Sequence, residues 1–211
     1  MNDAEAKAAG YDFTADWFSL HTPVWDRLID QVRPTRILEI GSYEGRSAAF
    51  LIERCAASGP IELTCIDTWR GGVEHDAAAM GAVEQRFDHN LALARKRAGH
   101  PVALRKIKEG SFTALAKLVA QGEMGAFDFV YIDGSHQAPD VLADAVLGYA
   151  LTRVNGVIAF DDYLWFNEPE GQQNPLNMPK PGIDAFVNLY QRKLRVVLGA
   201  PLNQFYVIKK A

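Results

Sequence analysis

Apolar residues fall along this chain in short blocks of two alternating kinds. Five compact runs, rich in β-branched and aliphatic residues, are bounded by turn formers: Arg36–Ile40, Glu62–Ile66, Val102–Ile107, Phe127–Ile132 and Val157–Phe160. Such runs predict buried strands. The stretches between them carry a helical period instead. Arg46–Ala57 is apolar at Ala49, Phe50 and Ile52, and Met80–Arg97 sets Val83, Phe87, Leu91 and Ala94 on one stripe. Phe112–Gln121 and Pro139–Thr152 complete the set, the latter with Leu142, Val146 and Tyr149 on one face. Pro139 suits a first helical position, and Asn155-Gly156 is the expected stop. Strand and helix alternating this often imply parallel strands joined by right-handed crossovers.

The alternation breaks near both ends. Lys193–Leu198 and Gln204–Lys209 are two strand-like runs separated only by Gly199-Ala200-Pro201-Leu202-Asn203, which predicts a closing hairpin with an antiparallel strand. Leu164–Pro181 is rich in Pro, Asn, Gln and Gly without periodicity, and a loop this long in a compact domain is usually functional or mobile. Trp17–Val32 spaces aromatics and aliphatics helically and is expected to cover the sheet. The fold expected is α/β: a Rossmann-like, doubly wound, seven-stranded sheet, mostly parallel, with an antiparallel C-terminal hairpin strand.

Length and composition narrow this further. At ~100–200 residues per domain, 211 residues are read as a single domain spanning 1–211. Its parts are a helical cover over 11–33, a substrate or lid loop over 163–181 and a hairpin over 193–210. The chain is 48% hydrophobic and 23% charged, which excludes disordered and collagen-like classes. Its 26 acidic against 22 basic residues give no electrostatic case for nucleic-acid or membrane-surface binding. Cys55 and Cys65 stand ten positions apart with no metal-binding spacing and read as buried, inert thiols. No signal-like segment or membrane-length apolar run occurs, so a cytoplasmic protein is expected.

Ligands of open α/β sheets bind at the carboxyl ends of the strands, and the residues that follow each strand here are chemically rich. The first is followed by Gly41-Ser42-Tyr43-Glu44-Gly45-Arg46-Ser47, a turn able to hold an anionic group on the free N–H groups of the next helix. It is neither a P-loop nor the dinucleotide fingerprint, whose middle glycine would be Tyr43. Asp67 ends the second strand, where a carboxylate can accept both hydroxyls of a ribose or simply cap a turn. Ser111 follows the third, as a helix cap or an adenine contact.

Asp133 ends the fourth strand, and Asp161-Asp162 end the fifth, 28 positions on, with a helix between. Adjacent strand ends would bring three carboxylates together. At ~4 Å and an effective dielectric of about 20, each like-charge pair costs roughly 4 kcal/mol, which protonation or a hard cation such as Mg²⁺, Mn²⁺ or Ca²⁺ would relieve. Alternatively, Asp161 or Asp162 points outward and caps a turn. His136, three residues past Asp133, is placed to take a proton from a substrate hydroxyl. His21, His75, His89 and His100 lack such a setting and are read as structural. The basic stretch Arg95–Lys108 fits a helix end and an edge strand better than a nucleic-acid surface. Trp69, Tyr163, Trp165 and Phe166 flank the expected pocket as substrate, lid or core aromatics.

Together, Leu38–Ser47, Cys65–Trp69, Phe127–His136 and Gly156–Tyr163 resemble the class I S-adenosylmethionine-dependent methyltransferases. The similarity is to the small bacterial O-methyltransferase branch related to cephalosporin, macrolide-sugar and catechol-type enzymes. By that resemblance, Gly41, Ser42 and Gly45 line the methionine part of S-adenosyl-L-methionine, Ser47 lies near its carboxylate and Asp67 binds the ribose. Thr68 and Ser111 border the adenine, with Glu39 and Asp133 on the cofactor side. Asp133, Asp161 and Asp162 match positions that carry a divalent cation such as Mg²⁺, and Asp133 and His136 are the catalytic candidates. His136 stands where catechol-type relatives carry a lysine. The activity implied is metal-assisted O-methylation of a small hydroxylated substrate, a sugar or a diol. An exposed aromatic lid would favour a homodimer. Two other readings stay open: a nicotinamide-dependent oxidoreductase and a non-catalytic nucleoside-binding module.

Overall fold

The computed structural model describes residues 3–72 and 79–211. In chain order it contains α1 (Asp3–Ala8), α2 (Thr22–Val32), β1 (Arg36–Ile40), α3 (Arg46–Cys55), β2 (Ile61–Asp67), α4 (Val83–Arg97) and β3 (Val102–Lys108). Then come α5 (Ser111–Ala120), β4 (Phe127–Ile132), α6 (Ala138–Leu151), β5 (Thr152–Phe160), α7 (Pro179–Tyr190), β6 (Leu194–Val196) and β7 (Phe205–Lys209). The strands form one sheet in the order β3-β2-β1-β4-β5-β7-β6. The first five are parallel, and β7 runs antiparallel to both β5 and β6. The expected seven-stranded, doubly wound α/β sheet with an antiparallel C-terminal strand is therefore the fold observed.

Each face of the sheet is covered by helices carrying one apolar stripe. On one face Trp25, Leu28, Ile52, Phe87 and Leu91 pack from α2, α3 and α4. On the other, Leu115, Val141, Ala145, Ile183 and Phe186 pack from α5, α6 and α7. β4 is buried along its whole length, which explains its near-continuous apolar run. The strand order reverses between β1 and β4, so their carboxyl ends open the crevice in which such sheets bind ligands.

The edge strand β3 accounts for the basic stretch. Arg105 pairs with Glu123, and Lys106 and Lys108 pair with Glu84. Cys55 and Cys65 are buried free thiols, as expected, and burial pushes the Cys55 thiol up to about 12. No described helix is long and apolar enough to cross a membrane.

Four boundaries differ from the sequence reading. The N-terminal cover begins its α-helix at Thr22, after a 3₁₀ turn over Ser19–His21, because Pro23 fits only the first turn. Asn155-Gly156 does not end a helix. α6 stops at Leu151, and the pair lies inside a longer β5, where Asn155 takes φ 63° and the pairing with β4 shifts register. The aperiodic lid stretch ends early, at α7, whose first turn holds Pro179 and Pro181, where no N–H is needed. In the hairpin, β6 is trimmed to three residues.

Candidate active site

The turn after β1 is knitted into the strand ends on both sides. Gly41 N–H donates to Ile66 O at 2.8 Å, and Asp133 N–H donates to Ile40 O at 2.7 Å. Gly41 has φ +81°, and a Cβ there would lie 1.9 Å from the carbonyl oxygen of Asp133. The glycine is thus required by two chain segments crossing at the switch point. Gly45, at φ 79°, caps α3 and packs against Leu91.

Two acids organise this turn. Asp67 accepts from the backbone N–H groups of Ser42 (2.8 Å), Tyr43 (2.9 Å) and Trp69 (2.6 Å). Glu39 is completely buried and accepts from the Ser42 and Ser47 hydroxyls, both at 2.6 Å, and from the Cys65 thiol at 3.6 Å. Burial pushes its carboxyl up to about 7, against the pull of those donors. Glu39 therefore reaches the ligand edge only through Ser42 and Ser47.

A cleft of about 1240 Å³ opens across these strand ends. Of the expected site residues, Gly41, Ser42, Ser47, Asp67, Thr68, Ser111, Asp133, His136, Asp161 and Asp162 line it, whereas Glu39 and Gly45 stand behind it. Ligating atoms of Asp133, His136 and Asp162 lie within 4.8 Å of one another. His136 Nε2 is 2.7 Å from Asp162 Oδ2, and its ring stacks on Trp165 with centroids 4.0 Å apart.

Asp161 is held differently. Its carboxylate accepts from the Tyr131 hydroxyl, from Gln204 Nε2 at 3.0 Å and from the Asp162 N–H at 2.8 Å. Gln204 is itself fixed by the Trp25 indole, which donates to it at 2.8 Å. Burial, then the neighbouring Asp161 and Asp162, push Asp133 well above the usual carboxylate range. Burial and Asp162 raise Asp161 to about 6. This is the stress that a divalent cation would relieve, and carboxylate oxygens are the ligands that hard divalent cations take.

Sequence reasoning missed two residues here. His21, read as structural, is buried in the cleft wall with Nε2 4.0 Å from Asp161 Oδ1, and burial pushes its imidazole down to about 4. Its place just before the Thr22-Pro23 helix start was the available signal. Gln204 carried a fainter one, a lone amide heading an apolar strand. His89 and His100 bond backbone carbonyls, consistent with structural roles, and His75 lies outside the described residues.

Behind Ser111 and Gly134, α6 buries the carboxylate of Asp144. Burial raises it to about 7, with Ser111 only partly opposing. An unfolded aspartate titrates near ~4, so this group's contribution to stability is present at low pH and is lost as pH rises from about 4 to about 7. Asp144→Asn is accordingly expected to stabilise the fold more at pH 8 than at pH 5, by about 2–3 kcal/mol. Urea unfolding at the two pH values checks this, and an equal effect at both would contradict it.

A sequence-family profile described as a methyltransferase domain matches residues 38–163, from β1 to the residue after the acid pair. A curated Dictyostelium discoideum protein named "Probable caffeoyl-CoA O-methyltransferase 3" is 42% identical over 52 residues, a quarter of this chain and a fifth of that protein's length. Among solved structures, an O-methyltransferase from Bacillus cereus in complex with SAH superposes with TM-score 0.63 at 18% identity, covering 98% of this chain and 88% of that one. MycE from the mycinamycin pathway, in complex with Mg and SAH, gives TM-score 0.60 at 18% identity over 93% of this chain and 51% of its own.

Proposed function

The chain belongs to the methyltransferase-domain family, and from that premise we propose that it methylates a hydroxyl oxygen of a small molecule with S-adenosylmethionine as donor. We further propose that Asp133, Asp161 and Asp162 hold a divalent cation, Mg²⁺ being the simplest choice. The observation that carries this reading is one cleft with a glycine turn and Asp67 at one end and the acid cluster with His136 at the other.

The roles follow from position. The Ser42–Ser47 turn and the first N–H groups of α3 receive the methionine carboxylate. Asp67, already anchored by three backbone donors, has one lone-pair site left, on Oδ1, to offer to a ribose hydroxyl. Thr68 and Ser111 border the adenine. S-adenosylmethionine supplies a methyl group on a sulfonium, and a cation held by Asp133, Asp161 and Asp162 would supply Lewis acidity toward the substrate hydroxyl. The chain itself has to align acceptor and donor in line at ~3–3.5 Å and exclude water. His136, oriented by Asp162 and by the Trp165 ring, collects the released proton.

Asp67→Asn tests the cofactor end. Losing a charge-assisted contact to the ribose costs about 1.5–3 kcal/mol, so affinity for S-adenosylhomocysteine is expected to fall by roughly 10- to 100-fold in calorimetry. Unchanged affinity would contradict the ribose role.

A further inference from the structure

Resting on the methyl-transfer reading above, we infer that the acceptor is a hydroxylated ring compound, uncharged or bearing an ammonium group, and that the cleft itself excludes polyanionic carriers such as coenzyme A thioesters. The described lining contains eight carboxylates, one guanidinium and no lysine. The guanidinium, Arg46, is committed to Asp3 and Asp16 and lies over the Phe13 ring. Arg70, exposed beyond Trp69, is not part of the lining, and residues 73–78 add two acids but no lysine or arginine to the sequence.

A pyrophosphate and a further phosphate are held by helix N-terminal N–H groups, lysine ammonium groups or free arginine forks. The α3 N–H groups are assigned above to the methionine carboxylate, and the described lining offers no lysine and no free arginine. Some lining acids are already paired outward, Glu44 with Arg86 and Glu109 with Lys117. Five are not so compensated: Asp67, Asp133, Asp140, Asp161 and Asp162. A divalent cation and one sulfonium leave this set negative. The residual field acts within a Debye length of about 8 Å and therefore across the acceptor end of the cleft.

The mouth on the acceptor side has the complementary character. Leu20 and Leu164, 58% and 47% exposed, line the cleft together with Trp165, whereas the exposed Trp17 packs on Tyr43 of the β1 turn. Large apolar side chains gathered at one opening mark a binding rim. An aromatic ring close to carboxylates, here Trp165 stacked on the His136 that meets Asp162, suits a flat ring and favours a cationic substituent. The neutral amides Asn167 and Asn203 complete the rim without adding charge.

The test uses a matched series of ring diols, 3,4-dihydroxybenzylamine, 4-methylcatechol and 3,4-dihydroxybenzoate, together with caffeoyl-coenzyme A. Each is titrated calorimetrically into the full chain saturated with S-adenosylhomocysteine and Mg²⁺ at low salt. The amine should bind at least as tightly as the methyl compound, and the methyl compound about tenfold more tightly than the carboxylate, with no binding of the thioester. Leu164→Lys, a change at the exposed rim, should narrow the gap between amine and carboxylate several-fold. Carboxylate or thioester binding as tight as 4-methylcatechol, or an unchanged gap in Leu164→Lys, would overturn the inference. Binding of none of the ring diols would also overturn it, while the S-adenosylhomocysteine titration would separately report on the donor site.

Discussion

Asp161→Asn is expected to lower methyl transfer by about 10³-fold at saturating S-adenosylmethionine, the loss of several kcal/mol of transition-state stabilisation. The carboxylate accepts three hydrogen bonds, from Tyr131, Gln204 and the Asp162 N–H. An amide in its place turns an NH₂ toward one of those donors in either orientation. It also removes a charge from the set proposed to hold the cation. The effect should appear in kcat while affinity for S-adenosylhomocysteine stays near that of the parent chain, because Asp67 and the Gly41–Ser47 turn are untouched. Chelation with EDTA should produce a comparable loss in the parent chain, reversed by Mg²⁺. Full turnover in Asp161→Asn, or turnover indifferent to EDTA, would contradict the metal-assisted reading.

Gly41→Ala is expected to be the most damaging small substitution in the fold. The added methyl would stand 1.9 Å from the Asp133 carbonyl oxygen and 2.7 Å from the Gly134 Cα, both backbone atoms in the next strand end. No side-chain rotation can relieve that contact, and φ +81° is strained for any residue with a Cβ. Overpacking and the left-handed conformation together cost about 3 kcal/mol or more, a large share of a typical 5–15 kcal/mol stability. Gly45→Ala offers a calibrated contrast: its φ is similar, but its Cβ would meet Leu91 Cδ1, the end of a side chain that can shift. Urea unfolding should rank Gly41→Ala well below Gly45→Ala. Equal midpoints would show that the strand crossing tolerates displacement and is not what demands glycine at position 41.

Much of this arrangement was legible because it rests on local rules. Period-two and aliphatic runs mark strands wherever both sheet faces are covered, and β1, β2, β3 and β4 appear within a residue or two of their expected limits. The neighbouring ends of β4 and β5 followed from the single helix between them, which is why Asp133, Asp161 and Asp162 could be grouped, with His136 beside them, before any geometry was known; the structure brings the ligating atoms of Asp133, His136 and Asp162 together. What stayed hidden depends on long-range contact. His21 faces Asp161 only because α2 docks across the sheet, 140 positions away in sequence. Gln204 acts through Trp25, 179 positions away. α7 was masked by Pro179, Pro181 and Gly182, residues that read as breakers. Yet Gly182 is needed where α7 approaches α6, since a Cβ there would lie 2.4 Å from the Ala138 carbonyl oxygen. Glu39 showed its position at a strand end but not its burial, and so not that it acts through two serine hydroxyls.

The central claim is that the cleft between the β1 turn and the acid pair is built for S-adenosylmethionine and not for a nicotinamide dinucleotide. Parallel calorimetric titrations of the chain with S-adenosylhomocysteine and with NADH test it most directly. Saturable binding of one S-adenosylhomocysteine per chain, with no heat from NADH, is the result predicted. Saturable NADH binding with no response to S-adenosylhomocysteine would contradict it.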